Sequence, residues 1–141
     1  MLAPKKAKYR KWQSMRRGER RTNSADTRGV TVAFGSFGLK SLSQARVTSN
    51  QIEAARRALS RASGKGAKIW TRIFPDRPFT RKAAEVRMGS GKGDVPGYVF
   101  DVKPGRIIFE IDGAVEAVAR EALRKAGTKL PLTVRVIARQ Q

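Results

Sequence analysis

The stretch KIWTRIFPDRPFTRKAAEVRMGSGKG, Lys68 to Gly93, decides how the rest of the chain is read, because in it a strand pattern gives way to a long, basic, glycine-tipped loop. From Ile69 to Phe74 the residues alternate as Ile69, Thr71 and Ile73 against Trp70, Arg72 and Phe74, the period of two that suits a strand in a sheet. Pro75 and Pro78 lack an amide hydrogen and bias the residues before them away from helix, so the chain is predicted to leave the sheet there and to run as a loop over 75–97. Arg77, Arg81, Lys82, Arg87 and Lys92 load that loop with positive charge against Asp76 and Glu85. A core is thereby joined to a surface fit for a polyanion.

On the N-terminal side of this stretch, Val30 to Phe34 alternates Val30, Val32 and Phe34 with Thr31 and Ala33, which predicts a short strand closed by the glycines of GSFGLK. Those glycines, Gly35 and Gly38, fit a bulge or close backbone approach as well as they fit a phosphate contact. Thr48 to Ala62 is the clearest helix: Thr48 caps it, Gln51 reaches back, and Ile52, Ala55, Leu59 and Ala62 form one apolar stripe. Gly64 terminates it. Docking that stripe on a sheet turns Arg57 and Arg61 outward with Arg56 on the border, and the one acid placed at i,i+4 to neutralise any of them is Glu53, toward Arg57.

On the C-terminal side, Tyr98–Val102 and Ile107–Ile111 flank Lys103-Pro104-Gly105-Arg106, a type II turn signature that predicts an antiparallel hairpin. Tyr98, Phe100 and Val102 would share one face, as would Ile107, Phe109 and Ile111, leaving Asp101 and Glu110 on the wet side as solubilising charges. A second helix is predicted over Ala114 to Ala126, capped by Asp112 and ended by Gly127, and a last strand from Leu132 to Arg139. The order predicts an α+β domain with two helices on one face of a mostly antiparallel or mixed sheet. It divides the chain into a basic extension over 1–28 and a single domain over 29–141.

Charge narrows the partner. The chain carries 31 Lys and Arg against 11 Asp and Glu, a net charge of +20, and self-repulsion at that density would be relieved by nucleic acid or another dense polyanion. Residues 1–28 hold ten basic and two acidic groups, residues 29–93 thirteen and three, residues 94–141 eight and six, so the polyanion should meet the first two-thirds. In the extension, Tyr9 and Trp12 lie among Lys5, Lys6, Lys8, Arg10 and Lys11, a pattern for a tail that orders on RNA, with a solvated charged tail as the plain alternative.

With neither cysteine nor histidine, the chain lacks disulfides, thiolate nucleophiles, Cys/His zinc sites and the usual neutral-pH base. It is read as no enzyme and as needing no cofactor. MLAPKKAKYRKW has no apolar run of signal-peptide length, and no segment approaches the ~20 apolar residues of a membrane span. The expected location is the cytosol or an organelle interior. RMGSGKG, residues 87–93, invites a phosphate-loop reading, but Lys92 is followed by Gly93, Asp94, Val95 and Pro96 rather than by Ser or Thr opening a helix. A basic finger with Met88 at its tip fits better.

QIEAARRALSRA (51–62), KGAKIWTRIFPDRPFT (65–80), RMGSGKG, VKPGRIIFEIDG and KLPL, together with MLAPKKAKYRKW and GSFGLK, resemble in order and spacing the ribosomal large-subunit protein sixteen family of bacteria and organelles. The resemblance implies an α+β protein that binds large-subunit ribosomal RNA near the peptidyl transferase centre, helps late subunit assembly, neighbours other ribosomal proteins and reaches A-site and P-site transfer RNA. It implies that Arg81, Lys82, Arg87, Met88, Gly89, Ser90 and Lys92 form the transfer-RNA-proximal loop, and that Lys5, Lys6, Lys8, Arg10 and Lys11 form an RNA-embedded tail. Arg56, Arg57, Arg61, Lys65 and Lys68 complete the expected ribosomal RNA contacts. Ala83 stands where the family usually has proline, Val115 where serine or proline is common, Thr128 where histidine is common, and residues 13–28 match poorly. The rival readings are a general DNA-compacting protein and a phosphotransfer enzyme built on the glycine loop.

Overall fold

Thr48 fixes where the first helix begins. Its hydroxyl accepts from the Gln51 amide at 3.3 Å while Gln51 Oε1 accepts from the Thr48 amide at 2.9 Å, so each residue satisfies a donor that the helix end would otherwise leave bare. The computed structural model describes residues 2–13 and 24–139. Along them run β1 (Phe37–Ser41), β2 (Ala45–Thr48), α1 (Ser49–Ser63), β3 (Lys68–Thr71), β4 (Arg77–Arg81), β5 (Asp94–Val102), β6 (Ile107–Asp112), α2 (Glu116–Gly127) and β7 (Val134–Ala138). The class is α+β, as expected. The strands divide between two antiparallel sheets, one ordered β3-β6-β1-β7 and the other β2-β5-β4.

The two helices pack on each other. α2 also contacts β1, β6 and β7, and α1 contacts β2 and β5, so the helix pair joins the two sheets. Leu39, Phe109 and Ile111 from the four-stranded sheet meet Ile52 and Leu59 of α1 and Leu123 of α2, all fully buried. This is the predicted α1 stripe, facing inward as expected. Gly127 lets the last turn of α2 lie against β7: a Cβ there would stand 2.5 Å from Val134 Cγ2. Its role is close packing inside the helix, not a left-handed stop after it.

Four further expectations, about where elements begin, end and pair, change. The predicted hairpin does not form, because β5 and β6 belong to different sheets. The turn itself is made, with Arg106 N donating to Lys103 O at 3.3 Å and Gly105 at φ +95°. Its arms bond elsewhere: Gly105 N donates to Ser41 O at 2.7 Å, Ser41 N donates to Arg106 O at 2.9 Å, and Ile107 N donates to Gly29 O at 2.9 Å. A bulge then makes Ile108 the extra residue, since Leu39 pairs with Phe109 and Lys40 with Ile107. Ile107 therefore faces the Gly38 side, away from Phe109 and Ile111.

Second, Val30 to Phe34 is no strand; the strand lies at Phe37–Ser41, inside the segment read as its closing turn. Third, the expected 75–97 loop contains β4 and the start of β5, so only residues 82–93 link strands there, while the strand expected through Phe74 ends at Thr71. Pro78 is tolerated in β4 because that strand is an edge, bonded only to β5. Fourth, Asp112 does not cap α2, whose first turn follows Val115 with no side-chain cap. The Asp112 carboxylate accepts from the Ser36 hydroxyl instead, and this bond, helped by the Gly113 amide, holds it below the ordinary aspartate value.

Glu110 explains the second change. It is fully buried, and its carboxylate accepts the amides of Ala33 (3.2 Å), Phe34 (2.6 Å) and Gly35 (2.9 Å) and pairs with Arg72. Those amides wrap an anion, so they are not available to a ladder. Gly35 is required at the crossing, since a Cβ would stand 2.6 Å from Ile111 O. The solubilising role expected of Glu110 is thus wrong. Asp101 likewise ties strands together, accepting from Arg46 on β2 at 3.0 Å and from Arg77 on β4.

Candidate nucleic-acid interface

Several arginines are spent on the protein's own carboxylates. Arg72 serves Glu110, Arg46 and Arg77 share Asp101, and Arg106 pairs with Asp26 at 3.4 Å. The remaining positive groups form the outward surface.

β4 and β5 close the neck of the basic loop. Arg81 pairs with Asp94, and Gly93 passes so close that a Cβ would lie 2.6 Å from Arg81 O. Beyond the neck, Lys82 Nζ donates to Gly89 O, and Gly89, Ser90 and Gly91 all take positive φ (+105°, +54° and +94°), which curls the tip. Arg87, Ser90 and Lys92 are exposed, and Met88 is 94% exposed. The loop passes from strand to strand with no helix after it, so it lacks the framework of a phosphate loop.

The N-terminal segment meets this loop. Lys11 Nζ donates to Lys92 O at 3.0 Å, Lys92 Nζ donates to Trp12 O, Lys11 stands 3.9 Å from Asp94, and the Arg77 guanidinium lies 5.7 Å from the Trp12 ring centroid. Further back, Leu2 packs on the core and its carbonyl accepts from the Ser49 hydroxyl at 2.8 Å. Between these anchors Lys5, Lys6, Lys8 and Arg10 stand exposed, with Lys8 Nζ 5.6 Å from the Tyr9 ring. Tail and loop, separate in sequence, are joined in space. Met15, Arg16, Arg17, Arg20 and Arg21, which the sequence also placed in the tail, lie outside the described residues.

On α1, Glu53 takes both neighbouring arginines: Arg56 through two bonds of 2.9 and 2.7 Å, and Arg57 at 3.1 Å. Those bonds bring Glu53 down to about 2 and raise Arg56. Arg57 and Arg61 remain exposed, as does Lys65 beyond the helix, while Lys68 leans over Trp70 at the edge of the four-stranded sheet. Sequence reasoning missed Lys125 and Lys129. They share with Arg61 a cleft of about 380 Å³ where the C-terminal ends of the two helices come together. The signal was present as basic residues in and after the last turn of α2, but nothing local showed that α1 ends beside it.

Among the described residues no cluster of three or more carboxylates, histidines or cysteines is placed to hold a metal, and no helix is long and apolar enough to cross a membrane. What this surface offers is cations and aromatic faces, groups that bind polyanions and bases. A family model described as ribosomal protein L16p/L10e matches residues 4–137. The chain belongs to this family. As an L16p/L10e member it is a structural protein of the large ribosomal subunit, associated there with ribosomal RNA and other ribosomal proteins. The match runs through both sheets, both helices and the basic loop.

Proposed function

We propose that this chain binds large-subunit ribosomal RNA near the peptidyl transferase centre, supports subunit assembly, and holds its 82–93 loop against A-site and P-site transfer RNA. It works in the cytoplasm or in an organelle interior, wherever its ribosomes are. Lys5, Lys6, Lys8, Arg10, Lys11, Arg57, Arg61, Lys65 and Lys68 neutralise ribosomal RNA phosphates, with Arg56 acting while still paired to Glu53. Arg81, Lys82, Arg87 and Lys92 supply charge to the loop, Gly89 and Ser90 its curl, and Met88 an apolar tip.

The observation that carries this reading is the joining of tail to loop through Lys11, Trp12 and Lys92. A tail fixed in ribosomal RNA then fixes the base of the loop, and the tip is left to reach a mobile ligand. The RNA performs the chemistry, and the protein positions it. Replacing both Arg87→Ala and Lys92→Ala should leave large subunits assembled while weakening transfer RNA binding to them. Unchanged transfer RNA affinity in purified particles carrying both changes would remove the loop from this function.

A further inference from the structure

The edge of the four-stranded sheet carries a second kind of surface, an aromatic stack outside the core. Trp70 projects from β3 on the side opposite the buried helices, at the position paired with Glu110. Phe34 lies against it with ring centroids 6.2 Å apart and planes 20° from parallel. Cations border both rings: Lys68 Nζ is 5.2 Å from the indole centroid and Arg72 Cζ is 4.8 Å from the Phe34 centroid.

Phe34 is held in this place while 56% of its surface stays open to water. The Glu110 carboxylate accepts its amide at 2.6 Å and those of both neighbours, and Arg72 bridges that carboxylate and the Phe34 ring. Val32, two residues earlier, packs toward Gly38, and Gly35 crosses tightly over Ile111. The chain around Phe34 is anchored while the ring itself is left outside. A large aromatic held outward against a second ring, by backbone bonds that the ring does not itself make, is a surface on which a flat ligand can stack.

We infer that Phe34 and Trp70 form a stacking platform for an unpaired RNA base, with Lys68 meeting a phosphate beside it and Arg72, held by Glu110, backing the Phe34 ring. The inference rests on the ribosomal RNA reading above and adds a base-reading contact to one otherwise built on phosphates. Charge complementarity selects the occupant: Arg72 is balanced by Glu110, and Lys68 and Arg139 together outweigh Asp112, so the apolar face is bordered by one net positive charge, carried beside the rings by Lys68. Every base offers a π-face to such a stack, and the flanking cations favour a nucleotide over an apolar peptide. Glu110 is a positioning residue for this platform, acting through the Phe34 amide.

The chain has two tryptophans, so a full-length Trp12→Phe protein reports Trp70 fluorescence alone. It is titrated with a short single-stranded oligoadenylate, with an abasic oligomer of equal charge, and with a duplex. The platform predicts quenching by the oligoadenylate only, and a loss of affinity of roughly tenfold on Phe34→Ala for the base-bearing strand but not the abasic one, with Phe34→Tyr retaining binding. Equal binding of the first two oligomers, or no effect of Phe34→Ala, overturns the platform. If the protein then still enters large subunits, the ribosomal RNA reading stands without it; if it neither binds these strands nor co-sediments with large subunits, both readings fall.

Discussion

Glu110 is the residue on which one face of the larger sheet depends. Burial pushes its carboxyl up, but the amides of Gly35, Phe34 and Ala33 and the Arg72 guanidinium together outweigh that and hold it below the ordinary glutamate value. A folded-state value that is lowered adds stability above the unfolded value, about 4.3, and that contribution is lost as pH falls through the folded one. Glu110→Ala leaves Arg72 and three amides without their anion and should cost about 3 kcal/mol in chemical denaturation at neutral pH. Glu110→Gln should destabilise less and flatten the loss of stability below about pH 4. A wild-type profile with the same acid slope as Glu110→Gln would assign that slope to other carboxylates. None of this was visible in FEID, because the amide donors lie 75 to 77 residues away and Arg72 lies 38 away, while alternation alone makes Glu110 an outward residue.

At the level of elements, legibility followed the range of the forces involved. α1 was readable almost to the residue because cap, stripe and terminator all lie within its own sequence. Thr48→Ala removes one half of its capping box and should lower stability by about 1 kcal/mol, read as a shift in urea midpoint at unchanged slope. A slope change would mean that the helix frays separately from the rest. The turn at Lys103–Arg106 was readable for the same local reason, whereas the partners of β5 and β6 were not. Strand pairing is settled by Ser41 and Gly29, far along the chain, which take the hydrogen bonds that a hairpin would have used. β2 was hidden by its shortness and by running straight into α1, and β4 by its proline. The basic loop and tail were legible as composition, their clamp through Lys11 and Lys92 was not.

Across the whole molecule, salt acts in opposite directions on folding and on binding. A net charge of +20 opposes the folded state by self-repulsion, which ions screen over about 8 to 10 Å. Raising salt from low ionic strength should therefore increase the melting temperature of the free protein. The same salt should weaken its affinity for large-subunit RNA, with a log–log slope of roughly 0.7 to 0.9 per phosphate contacted. Replacing Lys5, Lys6 and Lys8 with alanine should reduce that slope without changing which RNA is preferred. A slope unaltered by the triple change would show that the tail is solvated in the complex.

The narrow neck at Arg81, Gly93 and Asp94 makes the finger a cassette. Its two ends are pinned by strand pairing, so residues added at the Gly89–Gly91 tip disturb at most the exposed Lys82–Gly89 bond and otherwise cost chain entropy, about 0.6 kcal/mol for each doubling of loop length. Reach is thereby uncoupled from foldability, and the fold can carry fingers of many lengths, including grafted peptides or reporter dyes, on an unaltered base.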